Sequence, residues 1–191
     1  MIRTASLAIL LLVACAPGGR KPPFHLVLVT IDTLREDALG CYGSEAARTP
    51  RMDHLAREGI QFADAWVPVP ITLPSHATLL SGVYPAAHGA RHNGLRVSEK
   101  IPTLATLLRA KGYATSAFLG SKVLARSFGL ARGFDVYDDE WGEAETAIGI
   151  QDFPERRGDA VVSSFLYWLE ARDPERPFFA WVNLYDPHAA Y

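Results

Sequence analysis

Three short stretches of the 191-residue chain hold residue types suited to ester chemistry: Asp32, then Thr72 with His76, then His188. A carboxylate such as Asp32, directly after the apolar run His25 to Ile31, is placed to bind a hard or borderline cation through oxygen. An Asp after a strand also serves as an ordinary turn or helix cap, and spacing alone leaves both open. In Thr72-Leu73-Pro74-Ser75-His76, Pro74 suits the opening of a helix running to about Gly82. Thr72 is then expected just before a helix N-terminus, where free N–H groups favour an anion. A hydroxyl there can attack a phosphoryl or sulfuryl centre if a cation lowers its pKa. The plain alternative makes Thr72 a helix cap and His76 a surface residue. His188, in Tyr185-Asp186-Pro187-His188, can protonate a leaving group, or it can be an ordinary loop histidine.

The elements that must position these residues read as alternating strands and helices. His25 to Ile31 and Pro177 to Tyr185 are β-branched or aromatic apolar runs, as expected of strands buried on both faces of a parallel sheet. Thr49 as N-cap, Pro50 at the first position and Gly59 at the end frame one helix. Ile60 to Val67 reads as extended. Pro102 to Lys111 reads as a helix and Tyr113 to Leu119 as a strand. Asp159 to Ala171 carries the spacing of an amphipathic helix. The polar stretch Gly133 to Arg157 reads as a surface excursion. The alternation predicts an α/β sandwich with a mainly parallel sheet and helices on both faces, its binding crevice at the carboxyl ends of the strands.

Composition narrows the class. Hydrophobic residues make up 49% and charged ones 21%, with a net charge of −2, which suits a folded domain and argues against a nucleic-acid binder. Two cysteines exclude a disulfide scaffold. Residues 1–14 hold one cation and an apolar run about half the length of a bilayer span, the pattern of a signal peptide. The junction Leu12-Val13-Ala14-Cys15 is similar to the bacterial lipobox, so Cys15 is expected to be lipidated and 15–23 to form a tether. A plain signal peptide cut nearby is the alternative. Residues 24–191 are expected to form the domain, exported and lipid-anchored to the bacterial cell envelope, at the outer membrane or a periplasmic face. Cys41 is expected to be a buried free thiol.

Three segments in order, VTIDTLREDALGCYG (29–43), TLPSHATLLSGVYPAAHGARHN (72–93) and LYDPHAAY (184–191), resemble the sulfatase family of the alkaline phosphatase superfamily. The stretch Gly112 to Asp139 also looks like bacterial sulfatase-like hydrolases. The resemblance implies an alkaline-phosphatase-like sandwich with a divalent metal (Ca, Zn or Mn). It implies Asp32 as a metal ligand, Thr72 as the nucleophile that also touches metal, and His188 as a contact to the transferred group. His76 stands where many sulfatases carry Arg. Arg35 is implied as a supporting charge or a structural residue, Lys122 as a substrate contact, and His88, Gly89 and Asn93 as loop-shaping residues. Ser75 is the reserve nucleophile and Asp186 an outlying metal-ligand candidate.

Two departures from the family pattern shape the expected chemistry. Sulfatases proper convert Cys or Ser to formylglycine; threonine, with a methyl group on Cβ, is not expected to yield that aldehyde. Thr72 is therefore expected to attack directly, which suits a phosphoester or phosphonate ahead of a sulfate ester. Transfer to an alcohol, as in envelope phosphoglycerol or phosphoethanolamine transferases, is the related alternative. A non-catalytic surface lipoprotein is the alternative from another class. The substrate is expected to be a small-molecule, glycan or lipid-head-group phosphate or sulfate ester. The resemblance also implies that further strands and metal ligands follow in relatives, so the 191 residues are expected to be the N-terminal portion of such a domain and catalytically poor alone.

Overall fold

The computed structural model describes residues 24–141 and 155–188. The proposed leader (1–14) and the tether with Cys15 lie outside them. Four strands form one all-parallel sheet in the order β1-β4-β2-β3: β1 Leu26–Ile31, β2 Ala114–Leu119, β3 Val136–Asp138 and β4 Phe178–Leu184. Helices α1 (Pro50–Glu58), α2 (Thr72–Ser81), α3 (Pro85–His88), α4 (Leu104–Ala110) and α5 (Gly158–Ala171) connect them, with short 3₁₀ turns between. Helices cover both faces, as the alternation predicts.

The alternation of side chains along β4 assigns those faces. Phe179 and Trp181 enter the main core with Leu73, Ala77 and Leu80 of α2, Ala105 of α4, and Leu119. Val182 turns the other way, meeting Phe118 and Val161 with Phe165 and Trp168 of α5 packed against them. Trp181 is fully buried; cutting such a side chain to alanine costs about 3–5 kcal/mol.

Several expectations change. β1 is an edge strand, so Val27 and Val29 are about half exposed rather than buried on both faces. Ile60 to Val67 forms no strand; Ile60 and Trp66 stand largely in solvent, with no neighbouring strand to accept them. The supposed surface excursion contributes β3, and Phe134 and Tyr137 enter the main core. Thr49 makes no cap bond; its hydroxyl instead accepts from the Gly40 N–H at 2.9 Å and donates to Asp53 at 3.0 Å. Cys41 is free but only partly buried, because it sits in a 3₁₀ turn spanning Gly40–Tyr42 at the surface.

Candidate active site

A parallel sheet brings every strand's carboxyl end to one edge, so Asp32 after β1, Ser121 and Lys122 after β2, and Tyr185 to His188 after β4 share it. Two bonds fasten the outgoing chains of β1 and β4 together. The Asp32 N–H donates to Leu184 O at 2.9 Å, and the Thr33 hydroxyl donates to Pro187 O at 2.9 Å. Thr33 holds φ at 54°, a left-handed conformation unusual for a β-branched residue and an indication of strain beside the carboxylate.

Helix α2 begins at Thr72, two residues earlier than Pro74 suggests, with extended Ile71 as its cap residue. Thr72 is therefore the first helical residue and is buried, as is His76 one turn on. The expected array of free N–H groups is largely spent. Leu73 N–H donates to Asn93 Oδ1 at 3.0 Å, Pro74 has none, and Ser75 N–H bonds Ile71 O at 3.0 Å. Asn93 thus caps α2 from a distant loop, a more specific task than loop shaping. The Ser75 hydroxyl donates to Thr72 O at 3.0 Å, which occupies the reserve nucleophile.

His76 is not a surface residue. Its Nδ1 donates to Thr72 O at 2.7 Å, and its Nε2 lies 3.4 Å from Asn183 Nδ2. Asn183 donates to Thr30 Oγ1 at 3.1 Å, which also accepts from Trp181 Nε1 at 3.1 Å. The ring lies 5.7 Å from the Trp181 ring. Burial pushes the His76 imidazole below its ordinary value, while the Thr72 carbonyl and the Asp32 charge pull it back up. The Asp32 charge therefore lies near this imidazole.

His188 stacks face to face on Tyr185, ring centroids 4.3 Å apart. Burial pushes the Tyr185 hydroxyl up to about 12; a hydrogen bond to Ser121 opposes this, and the charges of Asp32 and Glu155 add to it. Glu155 forms an antiparallel bridge with Ser121, and its carboxyl is raised by burial, lowered by His188 and raised by Asp186. Asp186 accepts from the Gly158 N–H at 2.9 Å, so it caps α5. Lys122 is exposed at the same edge. Arg35 pairs with Asp37 in solvent through Nε at 2.9 Å, which engages its charge there. His88 is fully buried: Ala90 N–H donates to its Nδ1 at 3.2 Å, and Nε2 meets Thr78 Oγ1 at 3.1 Å.

Oδ2 of Asp32 is a buried carboxylate oxygen with no hydrogen-bond partner, which fits one coordination position of a hard cation. Among the described residues no group of three His, Cys, Asp or Glu could hold a metal ion, so this carboxylate supplies part of a shell at most. The sequence reading picks out Asp32, Thr72, His76 and His188. It passes over Asn183, Thr30, Trp181 and Tyr185, whose roles come from cross-strand neighbours that no local spacing reveals.

The chain is similar to known proteins in sequence and in fold. Steryl-sulfatase of Mus musculus is 40% identical over 130 residues, 60% of this chain and 20% of that protein. A structure solved in complex with its substrate D-glucosamine-2-N,6-O-disulfate superposes with a TM-score of 0.74 at 24% identity, covering 88% of this chain and 35% of the other. The phosphonate monoester hydrolase of Agrobacterium radiobacter superposes at 0.70 and 23% identity, covering 87% and 42%. The chain thus spans less than half the length of each. The family model described as Sulfatase matches residues 25–191, nearly the whole sequence after the proposed tether, and the chain belongs to the sulfatase family.

Proposed function

We propose that this chain carries the nucleophile-bearing part of a metal-dependent ester hydrolase that prefers a phosphoester or phosphonate to a sulfate ester. The observation that carries the reading is Thr72 at the first position of α2, its carbonyl held by His76, together with the buried, unpartnered carboxylate oxygen of Asp32 at the end of β1. Nucleophile, histidine and anionic ligand then serve one crevice.

A divalent cation (Ca, Zn or Mn) held with the help of Asp32 would lower the pKa of a nearby hydroxyl and offset charge on the ester oxygens. The Thr72 hydroxyl gives up its proton to solvent and attacks the tetrahedral centre in line; the bond to the leaving alcohol breaks, and His188 gives that alcohol its proton. Water, losing a proton to the His188 imidazole, then displaces the Thr72 oxygen, which takes back a proton from solvent. The neutral Nδ1–H form of His76 fixes the first turn of α2 beneath the reacting group. Threonine at position 72 favours phosphoryl over sulfuryl chemistry, and the similarity in fold to a phosphonate monoester hydrolase supports this. The glucosamine disulfate bound by another fold relative makes a glycan ester the competing substrate.

The test is turnover of p-nitrophenyl phosphodiester, phosphonate and sulfate by the full chain with each cation. The phosphonate or phosphodiester should be fastest, and Thr72→Ala should lower turnover by about 10³-fold or more. Unchanged turnover in Thr72→Ala refutes the assignment. Product appearing on an added alcohol rather than in water would make the enzyme a transferase.

A further inference from the structure

Tyr185 ends β4 and takes no part in the reaction as drawn, yet it touches two sides of the crevice. Its ring lies parallel to that of His188, with 4.3 Å between centroids and 15° between planes. The backbone reinforces this, since the His188 N–H donates to Tyr185 O at 2.9 Å and folds the imidazole back over the phenol. The Tyr185 side chain is itself buried, packed beside Gly120 at the end of β2. Close packing completes the clamp: a Cβ on Gly120 would lie 3.2 Å from Tyr185 Cβ and 3.0 Å from Asn183 O.

An imidazole on a loop rotates about two bonds, and a proton donor that wanders loses most of its use. We infer that Tyr185 is the positioning residue for His188, its buried ring setting the plane of the imidazole at the carboxyl edge of the sheet. The role of His188 as proton donor rests on the reading above; the stack does not. A purely structural tyrosine would fill volume and leave the imidazole plane to other contacts.

The experiment uses the full chain labelled with ¹⁵N,¹³C-histidine, the His188 ring signals being identified by their loss in His188→Gln. A parallel stack shifts the His188 ring protons upfield. Tyr185→Phe keeps the ring, so the shift should survive and kcat should stay within about threefold of wild type. Tyr185→Leu and Tyr185→Met remove it; the shift should vanish and kcat should fall about 10- to 100-fold, while KM changes less than about twofold. If both variants fail to fold, Tyr185→Phe decides: with the ring kept, loss of the upfield shift there overturns the proposal. Survival of the shift in either ring-less variant overturns it too, as does wild-type kcat once the shift is gone. Turnover that persists in Thr72→Ala would instead refute the reaction scheme, with the His188 signals still judging Tyr185.

Discussion

Nδ1 of His76 lies 2.7 Å from the carbonyl oxygen of Thr72, one helical turn before it. A carbonyl only accepts, so the proton sits on Nδ1 and the Nε2 lone pair faces the Asn183 amide. The imidazole thereby links α2 to β4 and, through Thr30, to β1. His76→Ala would remove one donor from the Thr72 carbonyl and one partner from the Asn183 amide, and open a hole beside Trp181. The expected loss is about 2–4 kcal/mol of stability, read as a lower urea midpoint with an unchanged m-value.

Acid should unfold the protein through its buried imidazoles. Burial lowers the pKa of His88, against opposing backbone hydrogen bonds, and the Ala90 N–H on its Nδ1 fixes the neutral ring. His76 is shifted the same way. The unfolded chain takes up protons below about pH 6.5 while the native rings resist, so stability present above that pH is lost as pH falls towards the lowered native values. Each ring contributes a slope of at most about 1.4 kcal/mol per pH unit. Melting temperatures measured at pH 7.5, 6.5 and 5.5 should drop across the last interval, and His88→Gln should flatten that drop.

The unpartnered oxygen of Asp32 predicts opposite responses with and without a cation. In metal-free buffer Asp32→Asn removes a partly buried negative charge, and the melting temperature should rise by a few degrees, equivalent to about 1 kcal/mol. Added Ca²⁺, Mn²⁺ or Zn²⁺ should raise the melting temperature of the wild type, whereas the variant should respond about 10-fold more weakly in midpoint concentration. Equal cation responses would remove Asp32 from the ligand set.

Apolar runs and helix punctuation made most of this fold legible. His25 to Ile31, Tyr113 to Leu119 and Pro177 to Tyr185 are strands within a residue or two, because uninterrupted β-branched and aromatic runs match a parallel sheet. Ile60 to Val67 shares Ile, Phe, Trp and Val with them but is broken by Gln61 and Asp64 and has no partner strand, which composition alone cannot supply. Val136–Asp138 was hidden for the opposite reason: three residues ending in a carboxylate gain strand character only by pairing with β2. Within the site, Asp32, Thr72, His76 and His188 stand out because their neighbours in sequence are distinctive. Asn183 and Thr30 lie 153 residues apart and become a pair only when β1 docks on β4.

Cys15 gives a test of location that is independent of catalysis. We propose that it is acylated after removal of residues 1–14, which would hold the domain at the envelope surface. Cells expressing the wild type should incorporate labelled palmitate into the protein and retain it in membranes. Cys15→Ser should lose the label and release the protein. Label persisting in the variant would place the lipid elsewhere.

The loop carrying His188 should be sensitive to one methyl group 30 residues away. Asp186 accepts from the N–H of Gly158, the first residue of α5, and a Cβ at Gly158 would approach Asp186 Oδ2 to 2.5 Å. Gly158→Ala should therefore displace the carboxylate and cost about 1–2 kcal/mol. Asp186→Ala removes the cap and should cost about 1 kcal/mol. The two losses should not add. Once the carboxylate is gone the three atoms nearest that methyl are gone with it, and alanine suits a helix better than glycine by up to about 1 kcal/mol. A double-mutant cycle by urea unfolding should give a coupling of about 1 kcal/mol or more, with the double variant no less stable than Asp186→Ala alone. Strict additivity would mean that Asp186 and α5 are not in contact in solution.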